Sequence, residues 1–237
     1  MPSLDDPHHR VQVNSTTLHT PAGEEIALRL FDLDGLSVAE VDSLEAERAS
    51  AARMHFEQDS RRLLIRRAIL RSLLGELTGR RAGEIRFDHT SHGRPSVEGL
   101  PDFHFNTSRT GHWFIVATTH EVIPGVDIEF DRPIPELESL VRRVCSPREQ
   151  QALAEVDAIS ASWFLRIWTR KEAVLKALGL GLGLDPTRVT LSVDRSSLAG
   201  WSAVSLDEPG LPSQIALTEV SDLRDGLFCS LAVQDTD

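Results

Sequence analysis

Two short segments set the terms for any fold of this chain. Gly125-Val126-Asp127-Ile128-Glu129 alternates apolar and acidic residues with the period of a strand. Trp168-Thr169-Arg170-Lys171-Glu172-Ala173, with Lys176 one turn later, has the period of a helix. A fold that serves both must set a strand bearing two carboxylates beside a helix bearing a third and a lysine. Three carboxylates and a lysine suit the holding of a divalent cation of the Mg2+ class against a phosphate. The pattern points to phosphoryl chemistry.

The strand is expected to begin near Val122, with Val126, Ile128 and Phe130 on one face and Asp127 and Glu129 on the other. Carboxylates one strand repeat apart lie roughly 6–7 Å apart along the backbone, near enough for their side chains to converge on one ion. Pro124 marks the strand's start or edge, and Gly125 leaves room for a ligand to approach the backbone. An isolated Asp-x-Glu is usually a solvated edge-strand face, so the argument leans on the helix. There Phe164, Ile167, Trp168, Val174, Leu175 and Leu178 make one apolar stripe. Glu172 and Lys176 lie off its centre; alone they are an ordinary ion pair of ~0.2–0.5 kcal/mol. Lys171 falls within the apolar arc, which asks it either to snorkel or to reach into a site. Gly179 ends the helix as a cap.

Around these segments the chain reads as α+β. A strand at Glu25–Leu33 is followed by a helical region at about 37–79, in which Leu63, Ile65, Ile69, Leu70, Leu73 and Leu74 mark a long amphipathic helix. Strand-like stretches follow at Ile85–Phe87, Phe103–Asn106 and Trp113–Thr118. After the Val122 strand come helices at about Glu136–Val144 and Pro147–Glu155. The second of these has Ser146 as N-cap, Pro147 at N1 and Glu149 as capping-box acid. The acidic helix comes next, then strands at Val189–Val193, Trp201–Ser205, Ile215–Val220 and Phe228–Val233. Residues 1–22 show little apolar period and are expected to be a partly disordered leader.

Composition removes several function classes. At 237 residues and 41% apolar content the chain can bury a substantial core. No run nears the ~20 apolar residues of a membrane span, and no signal-peptide core is evident, so no membrane role and a cytoplasmic location are expected. Cys145 and Cys229 are too few for a disulfide framework, and the nine histidines show no ligand spacing such as His-Glu-x-x-His. A net charge of −11 argues against nucleic acid as a partner. Gly179-x-Gly181-x-Gly183 follows a helix instead of opening one, and so reads as a cap and turn, not a nucleotide loop.

Taken together, the motifs resemble the 4′-phosphopantetheinyl transferase superfamily, in its longer monomeric type that activates peptide and polyketide synthetases. The two acidic segments match in order and spacing. Upstream, His92-Gly93-Arg94-Pro95 resembles the family's Gly-Lys-Pro segment. Phe105-Asn106-Thr107-Ser108-Arg109-Thr110-Gly111 resembles its Phe-Asn-x-Ser-His-x-Gly. Arg143-Val144-Cys145-Ser146-Pro147-x-Glu149 resembles its Arg-x-Phe-Ser-x-x-Glu, and Gly179-Leu180-Gly181-Leu182 its Gly-x-Gly-Leu. These matches run in the family's order over about 45–195. Arg109 replaces the family's histidine and Arg94 its lysine; both keep a phosphate-binding cation, and Arg109 gives up an imidazole that can titrate.

The resemblance implies two similar α+β halves in a pseudo-twofold arrangement, at 23–120 and 121–237, the second carrying the metal site. It implies transfer of 4′-phosphopantetheine from coenzyme A to a serine of an apo acyl or peptidyl carrier protein, with Mg2+ as cofactor and release of 3′,5′-adenosine bisphosphate. Asp127, Glu129 and Glu172 are then the metal ligands. Glu172, or a water beside it, takes the serine proton, and Lys176 stabilises the leaving group. Arg94, Ser108 and Arg109 hold phosphates. Of nine arginines crowded between Arg48 and Arg81, Arg53 and Arg62 are assigned to the 3′-phosphate. Two other readings stand beside this one: another Mg2+-dependent phosphotransferase, and a catalytically weak module that binds coenzyme A or a carrier.

Overall fold

The computed structural model describes residues 6–89, 94–155, 160–180, 183–192, 200–206, 211–212 and 214–235. The expected features at His92, Gly93, Gly181, Leu182 and Val193 lie outside the described residues.

In the first half, α1 (Pro7–Val11) leads into β1 (Gln12–His19) and β2 (Glu25–Asp32). Helices α2 (Glu45–Ala51) and α3 (Glu57–Thr78) follow, then a short hairpin of β3 (Phe87–His89) and β4 (Pro95–Val97), then β5 (His104–Thr110) and β6 (Trp113–Thr119). The second half holds β7 (Val122–Phe130), α4 (Leu137–Val144), α5 (Pro147–Glu155), α6 (Ala161–Ala177), β8 (Ser202–Ser205), β9 (Gln214–Glu219) and β10 (Leu227–Asp235). One antiparallel sheet has the order β1-β2-β6-β5, the other β7-β10-β9-β8.

Those orders share a plan. In each half a strand (β2 or β7) precedes a long helix (α3 or α6), and the helix precedes the strand that pairs with that first one (β6 or β10). The chain is thus α+β with two sheet-bearing halves. Strand alternation decides what each sheet covers. In β6, Phe114 and Val116 join Phe31, Ile65, Ile69 and Leu73 beneath α3. Trp113, Ile115 and Ala117 face the other way, onto Val126, Ile128 and Leu231 of the second sheet. Both faces of β6 are apolar because each has a layer to meet, which explains a strand buried along its whole length.

Three expectations change. Gln12–His19, within the expected partly disordered leader, is an edge strand, paired residue by residue with β2 from Thr16↔Leu28 to His19↔Glu25. Its side chains alternate half-buried and exposed, and its composition is polar, so it carries no apolar signal to read. Ile85 lies outside a strand, after a 3-10 turn at Ala82–Glu84, and Val189 follows another at Pro186–Arg188. On β7, Val126 and Ile128 are buried while Phe130 is 39% exposed at the strand's end.

Candidate active site

Both β5 and β7 are edge strands of their own sheets, and they meet at a seam between the halves. The seam is closed by side chains in place of a backbone ladder. Asn106 Oδ1 accepts from the Val126 amide at 3.2 Å, Ser108 Oγ from Ile128 at 3.3 Å and Thr110 Oγ1 from Phe130 at 3.5 Å. A period of two on each strand keeps the three contacts in step. The Ser108 hydroxyl donates in turn to Asp127 Oδ1 at 2.7 Å, and that of Thr110 to Glu129 Oε2 at 3.0 Å. Each hydroxyl thus fixes one backbone amide and one carboxylate.

Helix α6 is pressed onto this strand at Gly125. A Cβ built there would lie 2.1 Å from the Ala173 carbonyl and 2.3 Å from the Ala177 amide nitrogen. The glycine admits a helix backbone, where the sequence suggested a ligand. The approach sets Lys176 Nζ 2.7 Å from Asp127 Oδ1 and 3.0 Å from the Val126 carbonyl. Glu129 is also held by Arg132 at 3.1 Å.

Glu172 differs from the other acids. Its Oε1 is buried and receives no hydrogen bond among the described residues. Burial raises its pKa, and the charges of Asp127 and Glu129 raise it further, against the opposing effect of Lys176. Burial likewise raises Asp127, against Lys176 and Ser108. It also raises Glu129, against Arg132 and Thr110. Three acids that load one another electrostatically, one with an undonated buried oxygen, fit a hard divalent cation. As placed, their oxygens do not all lie within 4.8 Å of one another.

The structure divides the other assigned residues. Ser108 is buried and its hydroxyl is committed to the seam, not turned toward a phosphate. Arg62 grips Asp34 with two hydrogen bonds, at 3.1 and 2.8 Å, and its charge is answered there. Arg53 is exposed and donates to Ser50. Arg94 is partly buried, which lowers its pKa, and its charge acts on His104. Arg109 is exposed beside Arg66.

Sequence reasoning passed over Arg66 and Arg67. Burial first, then Arg109 and Arg67, push the Arg66 guanidinium down to about 10, so three arginines crowd together. A cleft of about 160 Å³ is lined by Arg66, Arg67, His89, Pro95 and Thr107, with Phe105 and Phe114 at its base. Thr107 and Arg109 alternate with Ser108 and Thr110 along β5, so one strand carries the arginine cleft on one side and the acidic seam on the other. The signal in the sequence was i,i+4 spacing: Arg62 and Arg66 share a face of α3, and the contact with Asp34 separates the first from the second.

Lys171 neither snorkels nor enters a site. It is wholly buried, with Nζ 2.7 Å from Glu149 Oε2 and donating to the Pro186 and Val189 carbonyls at 2.7 and 2.6 Å. Glu149 Oε2 also accepts from the Ser146 amide at 2.6 Å, and Oε1 from the Leu191 amide at 2.7 Å. The expected capping box is present, and the lysine of the acidic helix is its counter-charge.

By fold and site, then, this is one of the α+β enzymes whose two sheet-bearing halves meet at an acidic seam. Comparison with known proteins agrees. The 4′-phosphopantetheinyl transferase superfamily matches residues 124–211, and the N-terminal region of 4′-phosphopantetheinyl transferase matches 37–121. The 4′-phosphopantetheinyl transferase HetI of Nostoc sp. is 38% identical over 172 residues, 68% of this chain and 71% of the relative. Sfp of Bacillus subtilis is 31% identical over 176 residues, 73% and 75% of the two chains. A third transferase, ffp of Bacillus subtilis, is 32% identical over 193 residues, 78% and 83% of the two. The chain belongs to the 4′-phosphopantetheinyl transferase superfamily. Among the described residues no helix is long and apolar enough to cross a membrane.

Proposed function

We propose that the chain transfers 4′-phosphopantetheine from coenzyme A to a serine hydroxyl of an apo acyl or peptidyl carrier protein, as a Mg2+-dependent monomer of the cytoplasm. The observation that carries this reading is the undonated, buried Oε1 of Glu172 between two further acids. Asp127, Glu129 and Glu172 hold the cation. Bound there, Mg2+ supplies positive charge against the diphosphate oxygens of coenzyme A.

The residues of the chain do the rest. The serine oxygen attacks the phosphorus that bears the pantetheine arm. The bond from that phosphorus to the bridging oxygen breaks, and the electron pair leaves with 3′,5′-adenosine bisphosphate. Glu172, or a water beside it, takes the serine proton. Lys176 answers the charge of Asp127 and of the leaving phosphate. Ser108 and Thr110 hold the carboxylates in place, in agreement with their hydrogen bonds. Arg66, Arg67 and Arg109 receive the nucleotide phosphate, a role first assigned to Arg53 and Arg62. A guanidinium cluster with a cleft is a better phosphate site than one already gripped by Asp34.

The test is intact mass of an apo carrier after incubation with the protein, coenzyme A and Mg2+. The expected result is one added phosphopantetheine per carrier, lost on omission of Mg2+. No gain on several carriers, with coenzyme A binding retained, would replace this reading with that of a silent binding module.

A further inference from the structure

No spacing in the chain marks a histidine ligand set, yet the fold assembles one where α1 meets α3. α1 packs on α3 so that His8, His9 and Glu76 meet, their ligand atoms all within 4.8 Å of one another. His8 Nε2 lies 2.6 Å and His9 Nε2 3.1 Å from the same oxygen, Glu76 Oε2. The two imidazoles lie with centroids 4.0 Å apart. On its far side His8 Nδ1 is 2.9 Å from Ser72 Oγ. His8 is 1% exposed, while the side chains of His9 and Glu76 are 32% and 29% exposed.

We propose that His8, His9 and Glu76 form a binding site for a divalent transition metal of the zinc class, which staples the N-terminal segment to α3. Two imidazoles and a carboxylate are a common three-ligand zinc set, leaving one position for water. Ligands 2.0–2.2 Å from a tetrahedral ion stand roughly 3.3–3.6 Å apart. The present spacings of 2.6 and 3.1 Å are therefore short of that by under about 1 Å, a retreat within reach of the half-exposed Glu76 side chain. Ser72 serves as the outer-shell partner: with Nδ1–H donated to its hydroxyl, His8 turns the Nε2 lone pair toward the ion. The neighbouring charges divide, Asp6 favouring a cation and Arg29, which faces Glu76, opposing one.

The consequence reaches both halves. The strand that follows the site pairs with β2, and Asn14 Nδ2 donates to the Asp222 and Leu223 carbonyls of the second half at 3.0 and 2.9 Å. Trp201 Nε1 donates to the His19 carbonyl at 2.7 Å. A metal that pins His8 and His9 fixes the start of an arm that lies across the join.

The experiment is calorimetric titration of Zn2+ into the untagged full chain in excess Mg2+, which keeps the acidic seam occupied by the harder ion. Expected is one high-affinity equivalent, and a visible spectrum of tetrahedral Co2+ when cobalt is used instead. The buried Cys145 thiol, pushed up to about 11, and the still higher Cys229 do not compete. His9→Ala and Glu76→Gln should each weaken Zn2+ by at least the tenfold that an outer-shell partner alone is worth. Melting temperature should rise with Zn2+ in the wild type and not in either variant. His9 is partly exposed, so its variant folds even if the Glu76 variant does not. No stoichiometric binding, or unchanged affinity in His9→Ala, would overturn the proposal.

Discussion

Gly125→Ala is the substitution whose cost the structure fixes most directly. The backbone there has no positive φ, so alanine carries no conformational strain of its own, and the effect is purely one of space. The added Cβ would sit 2.1 Å from the Ala173 carbonyl, and ordinary contact begins at 3.4 Å. The neighbour is helix backbone and cannot swing away, so α6 must retreat by about 1.3 Å. That helix carries Glu172 and Lys176, so the retreat takes Lys176 Nζ from 2.7 Å to beyond hydrogen-bond range of Asp127. A misplacement of about 1 Å at a reacting centre costs on the order of 10²-fold. Overpacking of this kind costs about 1–3 kcal/mol, or a melting temperature lower by several degrees at this length. The assay is kcat/KM for holo-carrier formation, with thermal melting alongside. Gly83→Ala is the control, since a Cβ at that position meets nothing within 4 Å. Wild-type kcat/KM and melting temperature in Gly125→Ala would refute the claim that helix approach at this glycine builds the site.

Further outcomes follow from the same geometry. Lys171→Met leaves Glu149 buried without its cation and should cost about 3–5 kcal/mol in urea unfolding, with much of it recovered in Lys171→Met/Glu149→Gln; a single mutant within about 1 kcal/mol of wild type would show the pair to be dispensable. Arg66→Ala should raise the coenzyme A KM by at least about tenfold at little cost in kcat, while Arg62→Ala should not; the reverse order would restore Arg62 to the phosphate. Asp127, Glu129 and Glu172 have folded pKa values above their unfolded ones, so the folded chain binds protons more tightly. Without divalent cation its stability should therefore fall as pH rises from the ordinary carboxylate value, about 4, through those raised values. Glu172→Gln should flatten that fall and raise the cation-free melting temperature by a few degrees while abolishing transfer; a lower melting temperature would mean that the carboxylate is well solvated or paired.

What could be read beforehand was whatever a local period expresses. β7, α6, α3 and the capping box at Ser146 and Glu149 each announce themselves within a dozen residues. Asp127, Glu129, Glu172 and Lys176 were named from that periodicity alone, and the fold brings them to one seam. The misses share a cause: each depends on a partner distant in sequence. Arg62 and Arg66 are equivalent on paper until Asp34, from another element, takes one of them. Ser108 looks like a phosphate donor until β7 arrives with an amide and a carboxylate. Lys171 is an anomaly on its own helix and a necessity once Glu149 and the 186–189 turn close over it.

Ser108 and Lys171 also show why a motif's residues should not all be given to the chemistry. Within Trp168-Thr169-Arg170-Lys171-Glu172-Ala173 and its Lys176, only Glu172 and Lys176 face the acids of β7. Lys171 secures the turn after Pro186, and Ala173 and Ala177 supply the bare backbone that Gly125 meets. Thr169 Oγ1 lies 3.1 Å from Ser230 Oγ on β10, the strand paired with β7 at Asp127. The segment is contiguous because one turn of helix must do three things at once: present a carboxylate, dock without bulk against a strand, and anchor the loop behind it. Replacing Lys171 should therefore act on stability and leave the coenzyme A KM of the folded fraction unchanged. Replacing Glu172 should act on turnover and leave the folded fraction intact.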